Sequence, residues 1–351
     1  MMASTDHEGS INMPPFMSYV AYSTYNYRFA DPSISTSKYS NLRLVRAFEH
    51  GLDPLSSEAG FVLTHVDMVK HSPSLVKGVV DALNSVSSDA ASAEVSEAFH
   101  HMLEAMQLIE ASMETMWANS RPKDYIQYRT FIFGITNQSM FPDGVVYEGE
   151  NNGEPMSFRG ESGANDSIIP LLDNLLQIPM PQNPLTSILK DFRSYRPKPH
   201  REFLEFVGAR AEEVGVKEYC CKDAGTAVLY LRLLEHVRSF RWRHWLFARE
   251  YIIRRTSHPT VSFLARTNGP RYNADVFSQA TGGSPIITWL PNQLFAVMDL
   301  MCSVWQGLSE IERADAGRKV NEMMENVEDC REKLDKEVER WCQERGVPSK
   351  E

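Results

Sequence analysis

The chain has 351 residues, 42% of them hydrophobic, which is enough to bury a sizeable core as one large domain or two smaller ones. A net charge of −10 removes the overall basic field that a nucleic-acid binder needs. The five cysteines form no CxxC pair, so a disulfide framework and a zinc site are both excluded and a reducing, cytoplasmic setting is expected.

The first thirty residues lack a basic stretch followed by an apolar one, and no apolar run reaches the roughly 18 residues of a membrane span. Neither a secretory leader nor a membrane partner is expected. Residues 1–40 are rich in Ser, Thr, Tyr and Pro and read as an extended arm. From Asn41 the pattern of LRLVRAFEHG predicts a short helix closed by Gly51. EAGFVLTHVDMVKH then predicts a helix with Phe61, His65 and Met68 on one face. Ser72 and Pro73 supply an N-cap and a first-turn proline to the next helix, which carries Val76, Val79, Val80 and Leu83.

A long helix follows in SSDAASAEVSEAFHHMLEAMQLIEASMETMWAN. Val95, Phe99, Met102, Met106, Ile109, Met113 and Met116 form its packing stripe, with His100 and His101 solvated beside it. Pro122 ends it and DYIQYRTFIFG starts another short helix. Residues 135–161 are Gly-, Asn- and Pro-rich around a strand-like VVYEG and read as a long functional loop. Helices are predicted again over Asp166–Leu176, Leu185–Phe192 and His200–Arg210.

The longest uninterrupted amphipathic run is Thr226–Arg255. Val237, Phe240, Phe247 and Tyr251 keep one of its faces apolar, and His244 falls in the same row. Two local basic clusters, Arg238–Arg243 and Arg249–Arg255, lie on the same run. A polar imidazole in such a row needs a partner. Either a neighbouring group hydrogen-bonds it or it ligates a metal, most simply a heme iron, and the spacing alone leaves both open. Residues 256–284 read as a loop containing ATGGS, Thr288–Gln306 as an apolar helix, and Leu308–Arg345 as a charged helix at the surface or at a subunit contact. The fold class is all-α, divided into an N-terminal arm and short helical part over 1–57 and a helical domain over 58–351.

The segments RTFIFG, FPDGVVYEG, FRGESGANDSIIPLLD, FRSYRPKPHREFL, KDAG, RSFRWRHWLFAREYI and ATGGS occur in that order. Together they resemble the indoleamine 2,3-dioxygenases, a heme-dependent family that opens the indole ring of tryptophan. The resemblance runs from about Glu58 to Ser284, and the N-terminal part is shorter than the small helical domain of that family. It implies a large helical domain binding heme b, with His244 as the proximal iron ligand. Arg241 matches the arginine at a heme propionate, and Asp173 the carboxylate paired with that arginine. Arg129 matches the residue that binds the substrate carboxylate. Ser162 and Gly163 match small residues lining the distal pocket, Tyr125, Phe131 and Phe158 shape it, and Thr281 sits in the mobile loop that closes on substrate.

Three positions depart from the family pattern. His65 replaces the distal serine, as in the related tryptophan 2,3-dioxygenases, where a histidine meets the indole N–H. Asp124 and Tyr125 stand where paired phenylalanines are usual, and Glu161 replaces a glycine. The activity implied is insertion of O2 across the indole C2=C3 bond of L-tryptophan or a close derivative, giving an N-formylkynurenine-type product as in the kynurenine pathway. An electron donor would keep the heme ferrous, and a homodimer is possible. The alternative is a monooxygenase or peroxygenase-like reaction on a tryptophan-derived substrate in secondary metabolism, with His65 beside Asp124 assisting O–O cleavage. A heme sensor or carrier, and a helical interaction protein without heme, complete the readings.

Overall fold

Apolar residues repeating every three or four positions direct most of this chain into helices that hide one face each. A computed structural model describes residues 18–34, 37–88, 92–129, 134–137, 140–160, 163–181, 184–256 and 286–345. The helices of the first half are α1 (Ser57–Val69), α2 (Ser72–Ser87), α3 (Ser92–Glu114), α4 (Met116–Asn119) and α5 (Pro122–Arg129). The middle carries α6 (Ile168–Leu175), α7 (Pro184–Phe192), α8 (Lys198–Val214) and α9 (Val216–Cys220). Then come α10 (Ala224–Phe247), a π-helical segment Ala248–Ile253, α11 (Arg254–Thr256), α12 (Ile286–Gly307), α13 (Glu310–Asp315) and α14 (Arg318–Arg345). The all-α expectation holds.

The centre of the fold is the packing of α10 between α3 and α12, with α14 laid against α12. Phe99, Met102, Met106 and Ile109 of α3 are wholly buried, as are Leu231, Leu234 and Val237 of α10 and Leu294, Val297 and Met301 of α12. Each such side chain contributes about 1.5–3 kcal/mol of burial, so this seam holds α10 rigidly along its length. Asp223 caps the start of α10 by accepting the Thr226 N–H at 2.9 Å. The Met stripe of α3 is core, as its spacing predicts.

Two expectations are corrected here. Residues 42–44 are a strand and not the start of a helix: β2 (Leu42–Leu44) pairs antiparallel with β1 (Tyr27–Phe29), with Tyr27 opposite Leu44. Leu42 and Leu44 point inwards with period two and join Val62, Leu63 and Val66 of α1 in a small cluster. The charged C-terminal run lies at the surface as expected, and it also packs a buried row against the chain's own core: Val320, Met324, Val327, Leu334, Val338 and Trp341. Its charges occupy the other faces. Ser72, expected as the N-cap of α2, is instead its first helical residue: the N-cap is His71, without a side-chain capping bond, and Pro73 follows in the first turn. The strand-like VVYEG makes a single bridge, Val145 to Met156.

The basic clusters on and after α10 are matched by acids, some from the same helix and some from elsewhere in the chain. Arg238 pairs with Glu235, Arg243 with Glu110 at 2.6 Å and with Glu114, and Arg249 with Glu337 at 2.9 Å. The Arg243 and Arg249 pairs tie separate elements together, while the Arg238–Glu235 pair lies within α10. Among the described residues no helix is long and apolar enough to cross a membrane.

Candidate functional site

The row Val237–Phe240–His244–Phe247–Tyr251 is not uniformly buried. Val237 and Tyr251 are closed off, Phe240 and Phe247 are half-buried, and His244 is exposed. Yet the His244 ring lies deep among protein atoms, and that burial, reinforced by the nearby His65, pushes its pKa down to about 4. Water reaching a ring this deep places it on the wall of an internal cleft. Neither ring nitrogen of His244 makes a hydrogen bond among the described residues. The satisfied-core reading of this histidine required one.

Across from it stands α1. Ser56 caps that helix and Phe61 and His65 follow one turn apart. The Nδ1 of His65 is 2.7 Å from the Phe61 carbonyl, which can only accept, so the proton sits on Nδ1. Desolvation lowers the His65 pKa and the Phe61 hydrogen bond opposes it only in part, so the ring is neutral and its Nε2 keeps a free lone pair. The two imidazoles thus face one cleft from opposite helices.

An aromatic cluster joins this pair to α5. Phe61 lies 4.8 Å from His65 and 5.1 Å from Tyr125, and Tyr125 packs on Tyr251 at 5.6 Å. Phe247, one turn beyond His244, packs at a tilt against Trp117, ring centres 4.5 Å apart, in the same cluster. Arg129 ends α5, only 1% exposed, and hydrogen-bonds Tyr125; burial lowers its pKa, though a guanidinium keeps its proton. A buried cation therefore lies one helical turn from a ring that touches Phe61.

Asp124 has a different role from the one its position suggested. Its carboxylate accepts the Ser57 hydroxyl at 2.6 Å and the Arg121 Nε at 2.7 Å, tying α5 to the start of α1. That engagement explains its depressed pKa: burial alone would raise it, and the two hydrogen bonds more than compensate.

Arg241, one turn before His244, pairs with Asp173 of α6 through Nη2 at 2.9 and 2.8 Å, and its Nη1 donates to the Gln293 carbonyl at 3.0 Å. The pairing implied by the resemblance is present. Phe158 sets its ring edge-on to Tyr147 at 5.7 Å and to Tyr195 at 6.4 Å. Its backbone closes tightly on Gly134, where an added Cβ would come within 2.2 Å of the Phe158 carbonyl oxygen. Gly163 begins a single turn and is exposed with open space around it. Phe131, Glu161, Ser162 and Thr281, with the rest of ATGGS, lie outside the described residues. Residues assigned no site role from the sequence are Tyr19, Gln293 and the pair Asn165 and Asp166. The only signal for them was aromatic density in SYVAYSTYNY and two polar residues ahead of an apolar helix.

The arrangement fits a heme better than a bare ion. A neutral imidazole with an unengaged nitrogen is flanked by phenylalanines on a rigid helix, and a guanidinium lies on the same side one turn away. Among the described residues no group of three His, Cys, Asp or Glu side chains could hold a metal by itself. A porphyrin brings four of the iron's ligands itself and asks only one imidazole of the protein.

Comparison with known proteins agrees. The sequence profile described as indoleamine 2,3-dioxygenase matches residues 8–293. The chain is similar to indoleamine 2,3-dioxygenase of Saccharomyces cerevisiae, 25% identical over 69% of this chain and 56% of the yeast protein. It is 24% identical to indoleamine 2,3-dioxygenase 1 of Mus musculus over 80% of this chain and 67% of the mouse protein. A shorter stretch, 24% of this chain and 21% of the relative, is 37% identical to 6-hydroxytryptophan 2,3-dioxygenase of Fusarium equiseti. The match thus spans little more than half the length of the yeast relative.

Proposed function

The chain belongs to the indoleamine 2,3-dioxygenase family, and from that premise we propose that it is a heme-dependent oxidoreductase that adds O2 across the C2=C3 bond of L-tryptophan or a closely related indole. The observation that carries the reading is the deep but accessible His244 with no hydrogen-bond partner among the described residues, facing the neutral His65 across one cleft. When bound, heme b kept ferrous by an electron donor supplies the iron that takes up O2 and the redox chemistry that cleaves the indole ring. His244 would hold the iron through a neutral imidazole, so binding needs no proton removed from the ring. Arg241, oriented by Asp173, would meet a propionate with its remaining donors.

The substrate is positioned by the distal residues. The Nε2 lone pair of His65 can accept the indole N–H, which fixes the ring and excludes water from that edge. Arg129 would grip the carboxylate through its planar fork, with Tyr125 beside it as an apolar wall bearing a polar tip. Phe158, Gly163, Phe131, Ser162 and Thr281 keep the pocket roles that the family resemblance gives them. An N-formylkynurenine-type product retains both oxygen atoms and loses the C2=C3 bond, so no proton need leave the substrate permanently. His65 is suited to hold the N–H proton in place rather than to remove it. The relative named for 6-hydroxytryptophan supports extending the substrate class to ring-substituted tryptophans. Five free cysteines fit a cytosolic setting, and a homodimer remains part of the proposal.

The mono-oxygenation alternative asked Asp124 to work beside His65, and the engagement of Asp124 with Ser57 and Arg121 takes away that half of its support. The test is a spectrum and a turnover. Protein reconstituted with heme should change its absorption when L-tryptophan is added, and the reduced protein in O2 should release a product absorbing like N-formylkynurenine. Absence of that product while a peroxide-driven reaction proceeds would overturn the dioxygenase reading.

A further inference from the structure

Beyond His65 the contacts lead to a second polar cluster. Tyr19 sets its ring edge-on to His65 at 6.2 Å and donates its hydroxyl to Asp166 Oδ2 at 3.4 Å, a long bond. The other oxygen, Oδ1, accepts the Ile168 N–H at 2.8 Å as α6 begins. Arg196 fixes the backbone of the same turn, with Nε donating to the Asn165 carbonyl at 3.2 Å and Nη2 to the Asp166 carbonyl at 3.5 Å. The Asn165 side chain is therefore held in place by its own main chain. It is 6% exposed, and neither its amide nitrogen nor its amide oxygen finds a partner among the described residues. A buried amide with both ends unmet is rare and costly, and it calls for a ligand that meets them.

The contacts run in one order: Arg129, Tyr125, Phe61, His65, Tyr19, then Asp166 and its neighbour Asn165. An indole with its N–H on His65 and its amino-acid end at Arg129 turns its benzo edge towards Tyr19. Unsubstituted tryptophan would offer carbon-bound hydrogen there. We propose that Asn165 and Asp166 form a subsite for a hydrogen-bonding substituent, a hydroxyl above all, on the benzo ring of the indole substrate. A hydroxyl matches the pair in both directions, accepting from the Asn165 amide and donating to its oxygen or to Asp166 Oδ2. Burial raises the Asp166 carboxyl above its ordinary value against the pull of the Ile168 N–H, Arg196 and Tyr19. This subsite rests on the indole-dioxygenase reading of the cleft.

The heme-reconstituted full chain would be titrated with L-tryptophan and with tryptophans hydroxylated at each benzo position in turn, reading the heme absorption change. At least one hydroxytryptophan should bind about tenfold tighter than tryptophan, since a site built to hydrogen-bond a hydroxyl discriminates strongly against its absence. Asn165→Leu should bring that ratio to about one. Asp166→Asn, which can still accept the Ile168 N–H, should lower it. Equal or weaker binding of every hydroxytryptophan overturns the subsite while leaving the indole reading intact, and so does a preference that survives in Asn165→Leu. A heme spectrum that responds to no indole overturns both. The selectivity of the parent protein is informative even if a variant fails to fold.

Discussion

Removing the Asp173 carboxylate tests the tie that orients Arg241 beside His244. In Asp173→Ala the Arg241 guanidinium, 9% exposed, keeps the Gln293 carbonyl but loses both bonds to the carboxylate. Breaking one partner of a buried pair costs about 3–5 kcal/mol because a charge is left uncompensated. The Asp173 side chain is 19% exposed, so water can reach the gap and the lower end applies, about 3 kcal/mol. In a chain of this size each kcal/mol moves the midpoint by about 2 °C, so the apoprotein should melt about 6 °C lower. The double variant Asp173→Ala/Arg241→Met removes the stranded charge as well. It should be less damaged than the sum of the two single variants by about 2 kcal/mol. Thermal and urea unfolding of the four proteins, without heme, provide the cycle. A single variant melting within about 1 °C of the parent, or a double variant equal to the sum, would refute the reasoning.

Other outcomes are equally specific. His244→Ala should bind heme without the parent's Soret band, and identical spectra would remove His244 as ligand. His65→Phe should keep that band but lose about 10–100-fold in kcat/KM for tryptophan, the worth of one buried hydrogen bond; unchanged turnover counts against the indole contact. The Asp124 carboxyl is held low in the folded state, so its stabilisation is present above the unfolded value near pH 4 and is lost as pH falls through the lower folded value. Asp124→Asn should therefore be less stable than the parent at neutral pH, with the gap in urea midpoint closing below about pH 4; a gap that persists is inconsistent with that assignment. A Cβ at Gly60 would lie 1.8 Å from the Asn119 carbonyl oxygen, so Gly60→Ala must push α1 off α4 and cost about 1–3 kcal/mol. A melting temperature equal to the parent's would contradict that packing.

What the sequence made legible was local. The stripe Val95–Met113 and the row through His244 depend only on helical spacing, and both lie where that spacing places them. The strand at Leu42–Leu44 was missed because its partner Tyr27–Phe29 lies far back in the chain, and three residues carry too little periodicity to separate two from 3.6. The buried row of α14 was present as a heptad-like spacing from Val320 to Trp341, but alternating charges on the other faces obscured it. Ser57 and Asp124 are 67 positions apart, so nothing local could show that Asp124 is a tie between helices and not a group poised beside His65. The resemblance named His244, Arg241 and Asp173. The orphaned amide of Asn165 is visible only once its surroundings are folded around it.

The π-helical segment Ala248–Ile253 bears on how this lineage can change in length. A π turn holds one residue more than an α turn, and here it separates two anchored registers. Before it, Trp245 is fixed by Glu337; within it, Tyr251 reaches back to the Met116 and Ser120 carbonyls. Loss of a residue between them can be absorbed by the wide turn tightening into an ordinary one, with His244 unmoved. The same loss a turn earlier would rotate His244 by about 100° out of the cleft. Loss of one residue is thus absorbed on one side of the imidazole and displaces it on the other.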